Sequence, residues 1–165
     1  MLPVWKEPPS IDQITEKIFL GNECGAHNAE FLKERGITHI LIAGNYLHKK
    51  FPKDYQYLKL PLIDRMTQDL FPYFQEAIDF IDSSDRILVH CAGGMSRSAA
   101  IVIAYLMVKN KWKYQNACEF VKEKRAIVCP NEGFVIQLKR LEEMIGSENY
   151  DLSIFTTTNI FIKKS

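Results

Sequence analysis

Cys91 and Arg97 bracket a short loop, Ala92-Gly93-Gly94-Met95-Ser96, with Ser98 directly behind the arginine. Ahead of the loop, Ile87-Leu88-Val89-His90 is a short apolar run of high β-propensity, and behind it lies a long apolar stretch of helical length. The order predicts a strand, a tight turn and a helix N-terminus. Backbone N–H groups in such a turn point inward, and the helix adds the positive end of its dipole. Residues 92–96 therefore form a cup for an oxyanion. Gly93 and Gly94 let the backbone approach a ligand closely. A thiol at a helix N-terminus beside an arginine ionises at about pH 3.5–7.5 rather than near 8.5, so Cys91 is expected as an anionic nucleophile on the floor of the cup. Arg97 grips two oxygens of a tetrahedral dianion through its planar fork. The chemistry this equips is covalent attack on a phosphate monoester. A buried structural cysteine beside a surface arginine is the alternative, and it requires spacing, strand, glycines and helix to coincide by chance.

Such chemistry needs a proton donor for the leaving oxygen, opposite the sulfur and on a separate loop. Pro61 to Asp69 supplies two carboxylates, Asp64 and Asp69. Asp69 precedes Leu70-Phe71-Pro72 and reads as a helix N-cap, with the proline tolerated in the first turn. Asp64 has no capping duty and is the expected acid, then the base for the attacking water. Ser98 has two compatible readings, N-cap of the following helix or hydroxyl donor to the departing Cys91 sulfur. His90 is either a base or a buried imidazole that orients the cysteine loop.

The elements that must position these groups follow from hydrophobic period and punctuation. Residues 1–10 read as an irregular arm because of Pro3, Pro8 and Pro9. Strands are expected at Ile14–Leu20, Ile37–Ala43, Tyr55–Leu60 and Arg86–His90, the last of them central. Helices are expected at Ala26–Arg35, with Ala29, Leu32 and Phe31 inward and Gly36 as its C-cap, and from Leu70 to about Ser83. Others are expected at Ala99–Val108, from Trp112 or Tyr114 to Lys124, and from Pro130-Asn131 to about Ile145. Ala99–Val108 has no polar face apart from the Tyr105 hydroxyl, so it is the core helix behind the cup. The fold class is α/β: a three-layer α-β-α domain around a mostly parallel five-stranded sheet, with the phosphate loop between central strand and buried helix. The domain is expected over residues 11–146, with a tail at 147–165.

At 165 residues, 47% hydrophobic and 25% charged, the chain has the composition of one globular domain. A net charge of +1 gives no polyanion-binding signal, so no nucleic-acid partner is expected. No apolar run approaches the ~18 residues of a membrane span, and neither a secretory leader nor a myristoylation start is expected. Cys24, Cys91, Cys118 and Cys129 have neither zinc-ligand nor disulfide-scaffold spacing, so no metal or cofactor is expected. A reducing compartment, the cytoplasm with access to the nucleus, is the expected location.

His90-Cys91-x5-Arg97-Ser98 resembles the signature of the cysteine-dependent protein tyrosine phosphatases, and the full string from His90 to Ser98 is similar to that of the dual-specificity protein phosphatases. Leu60-Pro61-Leu62-Ile63-Asp64 resembles that family's general-acid loop. Residues 129–138 resemble its Pro-Asn-x-Gly-Phe-x-x-Gln-Leu segment, and the likeness runs from about Ile11 to Met144. The resemblance implies a phosphocysteine mechanism, Asp64 as acid, a structural His90 and a Ser98 that speeds hydrolysis of the intermediate. Two positions depart from it. Gly93 stands where alanine is common, which is expected to loosen the cup slightly. Ile42 stands where many members carry an asparagine near the phosphate loop, which puts a supporting hydrogen bond in question.

Residues 92–96 carry no lysine or arginine, which disfavours a multiply charged phosphoinositide or nucleic-acid end. No long insert builds a deep wall around an aromatic ring. A shallow cup admits phosphoserine, phosphothreonine and phosphotyrosine, so phosphorylated proteins are the expected substrates. The rivals are a lipid or glucan phosphatase, which is expected to need a targeting module, and a module that binds phosphoproteins without turnover. In the tail, Ile154, Thr156, Thr158, Ile160 and Ile162 fall on one side of a hypothetical strand over 151–162. The alternatives are addition to a sheet edge, pairing with a second copy, or fraying in solution; docking is the expectation, with the chain a monomer or a weak dimer.

Overall fold

The computed structural model describes residues 7–155. Five strands form one sheet in the order β1-β2-β5-β3-β4, with β1 Ile11–Gln13, β2 Ile18–Gly21, β3 His39–Ala43, β4 Gln56–Leu60 and β5 Ile87–His90. All neighbours are parallel except β1 and β2. The central strand is β5, and all four of its residues are buried, as they must be when both faces of a parallel sheet are covered. The helices are α1 Glu23–Ala26, α2 Ala29–Glu34, α3 Phe71–Ser83, α4 Arg97–Asn110, α5 Tyr114–Lys124 and α6 Glu132–Ile145. Helices α1 and α2 pack on each other, while α3, α5 and α6 surround α4, which lies against β2, β3 and β5.

Helix α4 follows its composition. Every residue from Arg97 to Met107 is buried, so the helix has no solvent face before its last turn and serves as the wall on which the phosphate loop stands. Phe74, Ala77, Ile78 and Ile81 of α3 and Phe134, Leu138 and Leu141 of α6 are also buried. Their spacing turns one stripe of each helix to the common core.

Several boundaries differ from expectation. The run Ile14–Leu20 is not one strand. A turn intervenes, closed by Ile14 N–H to Ile18 O at 2.8 Å and by Ile18 N–H to Thr15 Oγ1 at 3.0 Å. The residues before that turn form β1, the antiparallel fifth strand. The helix expected over Ala26–Arg35 is two, because Asn22 and Asn28 each accept a capping bond and restart the chain. Ala29, expected inward, is exposed on the first turn of α2. The N-cap position of α3 is Leu70 rather than Asp69, although the Asp69 carboxylate still accepts from Phe71 N–H at 3.1 Å. Residues 7–10 are irregular but anchored, since the buried Asn22 accepts from Ser10 N–H and donates to Pro8 O.

The strand proposed over 151–162 is not formed where the chain is described. Ser153–Phe155 is a single 3₁₀ turn against α3, and Leu152 is buried in the core. Residues 156–162 lie outside the described residues.

Candidate active site

The Cys91 sulfur sits at the carboxyl end of β5, buried, and two groups of the following turn converge on it. Gly94 N–H donates to Sγ at 3.2 Å, and Ser98 Oγ lies 3.0 Å away. Ser98 is the second residue of α4 and makes no N-cap bond, so of its two expected roles only contact with the sulfur is realised. Gly94 takes a φ of +67°, the left-handed region that side chains resist. A Cβ there would also run into the backbone of Gly21 on β2 and the Arg125 guanidinium. Gly93 is under no such constraint, and a Cβ would meet only the Met95 side chain at ordinary contact distance. The alanine common at this position would therefore fit here without displacing anything.

The loop is a cup because its carbonyls are pulled outward. Ala92 O accepts from Glu23 N–H at 3.0 Å and Met95 O from Cys129 N–H at 2.9 Å. Gly94 O and Gly93 O accept from Arg125 at 2.9 and 3.3 Å. A trans peptide sends the next N–H to the opposite side, so the amides of residues 93–96 face the interior.

Arg97 opens α4 and is 4% exposed. Its Nη2 donates to Tyr46 Oη at 3.1 Å, whereas Nε and Nη1 are buried with no hydrogen-bond partner. A buried cation with two unsatisfied donors is costly unless an anion completes it. These donors belong to the same turn as the Cys91 sulfur.

Asp64 is brought to this turn by a latch. Ser96 Oγ donates to Asp64 Oδ1 at 2.7 Å, and Asn131 Nδ2 donates to the same oxygen at 2.9 Å. Asn131 N–H in turn donates to Ser96 Oγ, which orients that hydroxyl. Gln68 accepts from Ile63 N–H, and Gln137 accepts from Leu70 N–H and donates to Gln68 O. Gly133 permits the close approach, since a Cβ there would overlap the Met66 carbonyl. Both donors of the latch fall on Oδ1, so Oδ2 of Asp64 takes no bond from it. Asp69 takes no part, being occupied with α3.

His90 is fully buried, with Nδ1 3.2 Å from Cys91 O. Burial, with smaller contributions from His27 and Arg97, pushes its pKa down to about 4. The ring is neutral near pH 7 and faces a backbone carbonyl, which fits the orienting reading rather than the base. Ile42 is fully buried and offers no hydrogen bond. The polar neighbour on this side of the loop is instead Tyr46, whose ring lies 5.4 Å from the Arg97 guanidinium carbon. Among the described residues no cluster of His, Cys, Asp or Glu has the makings of a metal site. A concavity of about 580 Å³ between Lys111–Lys113 and Glu142–Ser147 is larger than a phosphate needs and includes none of these groups. The site is located by chemistry, not by volume.

Residues 18–144 match the model of the dual specificity phosphatase catalytic domain. The chain belongs to this family. Among curated relatives, dual specificity protein phosphatase 1B of Arabidopsis thaliana is 40% identical over 139 residues, covering 82% of this chain and 83% of that protein. Dual specificity protein phosphatase 1 of the same plant is 40% identical over 134 residues, covering 79% and 68%. Among solved structures, the human tyrosine phosphatase-like serine/threonine/tyrosine-interacting protein superposes with a TM-score of 0.79 at 34% identity, covering 84% of this chain and 99% of that one. Membership makes this dual-specificity domain a protein phosphatase of the cysteine-dependent class.

Several residues at this dual-specificity site were not singled out from the sequence. Asn131, Gly133 and Gln137 fall within the segment 129–138, whose likeness to the family was visible but whose role was not. Arg125 and Tyr46 carried no local signal. Their partners lie 31 or more positions away, a distance at which one sequence shows no pairing.

Proposed function

We propose that the chain hydrolyses phosphotyrosine and phosphoserine or phosphothreonine in proteins through a phosphocysteine intermediate. The observation that carries this is the Cys91 sulfur, held by the Gly94 amide and the Ser98 hydroxyl in the same turn as the two unpartnered donors of Arg97. In the first step the Cys91 thiolate attacks phosphorus, the P–O ester bond breaks, and Asp64 gives its proton to the leaving oxygen. The inward amides of residues 93–96 and the Arg97 fork hold the equatorial oxygens. In the second step Asp64, now a carboxylate, takes a proton from water as it attacks phosphorus. The S–P bond breaks, and Ser98 Oγ–H stabilises the departing thiolate.

Breadth of substrate is supported by the exposure of Asp64, Tyr46, Met66 and Met95 around the loop, which makes a shallow and open mouth. The contact of Leu152 and Ser153–Phe155 with their own domain supports a monomer. Four free cysteines, one of them the nucleophile, fit a reducing cytoplasmic or nuclear setting.

The test is turnover of p-nitrophenyl phosphate in EDTA, followed by phosphotyrosine and phosphothreonine peptides and a phosphoinositide. Activity should persist in chelator and vanish in Cys91→Ser, and in Asp64→Asn kcat/KM should fall for the phosphothreonine peptide, whose leaving oxygen needs a proton. Turnover surviving Cys91→Ser removes the mechanism. Phosphopeptide binding without turnover assigns a binding module instead, and preference for the phosphoinositide overturns the substrate class.

A further inference from the structure

The geometry points to Arg125 as the positioning residue that shapes the phosphate loop, and to Asp12 and Ser10 of the N-terminal segment as the anchor that holds Arg125 in place. The inference builds on the phosphoryl-transfer reading above. Arg125 stands just past α5, capping it through its own N–H to Val121 O. Its side chain is 1% exposed and every nitrogen is used. Nε donates to Gly94 O at 2.9 Å and Nη2 to Gly93 O at 3.3 Å, while Nη1 donates to Ser10 Oγ at 2.8 Å and Asp12 Oδ2 at 2.7 Å.

Two of the four carbonyls that must face outward for the cup to exist are therefore turned by this one side chain. Orientation of the Gly93 and Gly94 carbonyls fixes the amides of Gly94 and Met95, and the Gly94 amide already rests on the Cys91 sulfur. A planar fork can span two successive carbonyls and still reach a carboxylate on its far side. A lysine ammonium, a single point on a flexible stem, cannot do both. The same turn reinforces the grip, since Cys129 N–H holds Met95 O. Strand β1 lies at the sheet edge, and Asp12 is 43% exposed by its side chain, yet both connect to the cup through one residue.

The anchor separates shape from field. If Arg125 acted only as a positive charge near the anion, neutralising Asp12 would raise the local potential and tighten oxyanion binding. If Arg125 acts by orienting carbonyls, loss of Asp12 frees one end of the fork and weakens it. Inorganic vanadate, as a phosphoryl mimic, reads the difference in competition with p-nitrophenyl phosphate. Asp12→Ala is expected to raise the vanadate inhibition constant about 3-fold or more with the melting midpoint close to wild type. Arg125→Lys should raise it roughly 10-fold or more and lower kcat, with less effect on KM for the aryl phosphate. Tighter or unchanged vanadate binding in Asp12→Ala overturns the inference, and this variant decides alone if Arg125→Lys fails to fold. Should wild type itself fail to bind vanadate, the phosphatase reading fails. Normal wild-type binding with indifferent variants removes the roles of Arg125 and its anchor and leaves the phosphatase reading standing.

Discussion

The latch on Asp64 yields a sharp expectation for Asn131→Ser. Serine keeps the N-cap of α6, where the Asn131 side chain accepts from Phe134 N–H at 3.0 Å, but it is too short to reach the carboxylate. The variant therefore loses the 2.9 Å bond to Asp64 and little else. A hydrogen bond to a charged group is worth about 1.5–3 kcal/mol, and exposure of Asp64 brings this to about 1 kcal/mol because water replaces the lost donor. Ser96→Ala removes the second donor, so the double variant should lose about 2 kcal/mol of orientation. At 1.36 kcal/mol per decade these correspond to roughly 5-fold and 30-fold. The loss should appear only where the leaving oxygen needs a proton. kcat/KM is the appropriate readout, since it covers the steps through P–O cleavage and excludes the hydrolysis that both substrates share. A phosphothreonine peptide, which leaves as an alkoxide, should show the full effect, and p-nitrophenyl phosphate almost none. An equal fall with both substrates would mean that Asn131 acts on phosphate binding or on the fold, and the latch would be refuted.

Two further outcomes follow from burial and backbone geometry. His90, pushed down to about 4, stays neutral in the folded chain while the unfolded chain takes up a proton below about 6.5. Stability should therefore fall as pH drops from about 6.5 to about 4, by about 3 kcal/mol in all at about 1.4 kcal/mol per pH unit. Urea midpoints across that window should be steeper for wild type than for His90→Gln, and parallel curves would show the imidazole is not the titrating group. Gly93→Ala should stabilise by roughly 0.4–1 kcal/mol with activity kept, because the site accepts a methyl and the unfolded chain loses freedom. Gly94→Ala should cost more than the roughly 1–2 kcal/mol of the left-handed backbone alone and abolish turnover, as urea unfolding and an aryl phosphate assay would show.

The candidate reacting groups and most of the scaffold were legible in one sequence because each is a local statement. Strand, glycine turn and helix N-terminus are contiguous from Ile87 to Met107, and the apolar stripes of α3 and α6 repeat within a few residues. Capping already separated Asp64 from Asp69. Local reading went astray where short-range chemistry competes with period. Thr15 and Asn28 form side-chain bonds that break what hydrophobicity alone would continue, giving β1 its own strand and dividing the first helix.

From the amino-acid order alone came the candidate nucleophile Cys91, the Arg97 fork, the candidate acid Asp64 and the α/β class. Only the tertiary structure decided how those groups are held: Asn131 and Ser96 on Asp64, Arg125 on the loop carbonyls, Tyr46 beside Arg97. A backbone motif folds on itself and leaves a local trace. A hydrogen bond across 67 residues, such as that from Asn131 to Asp64, depends on where two separate elements come to rest, which is set by the packing of the whole core.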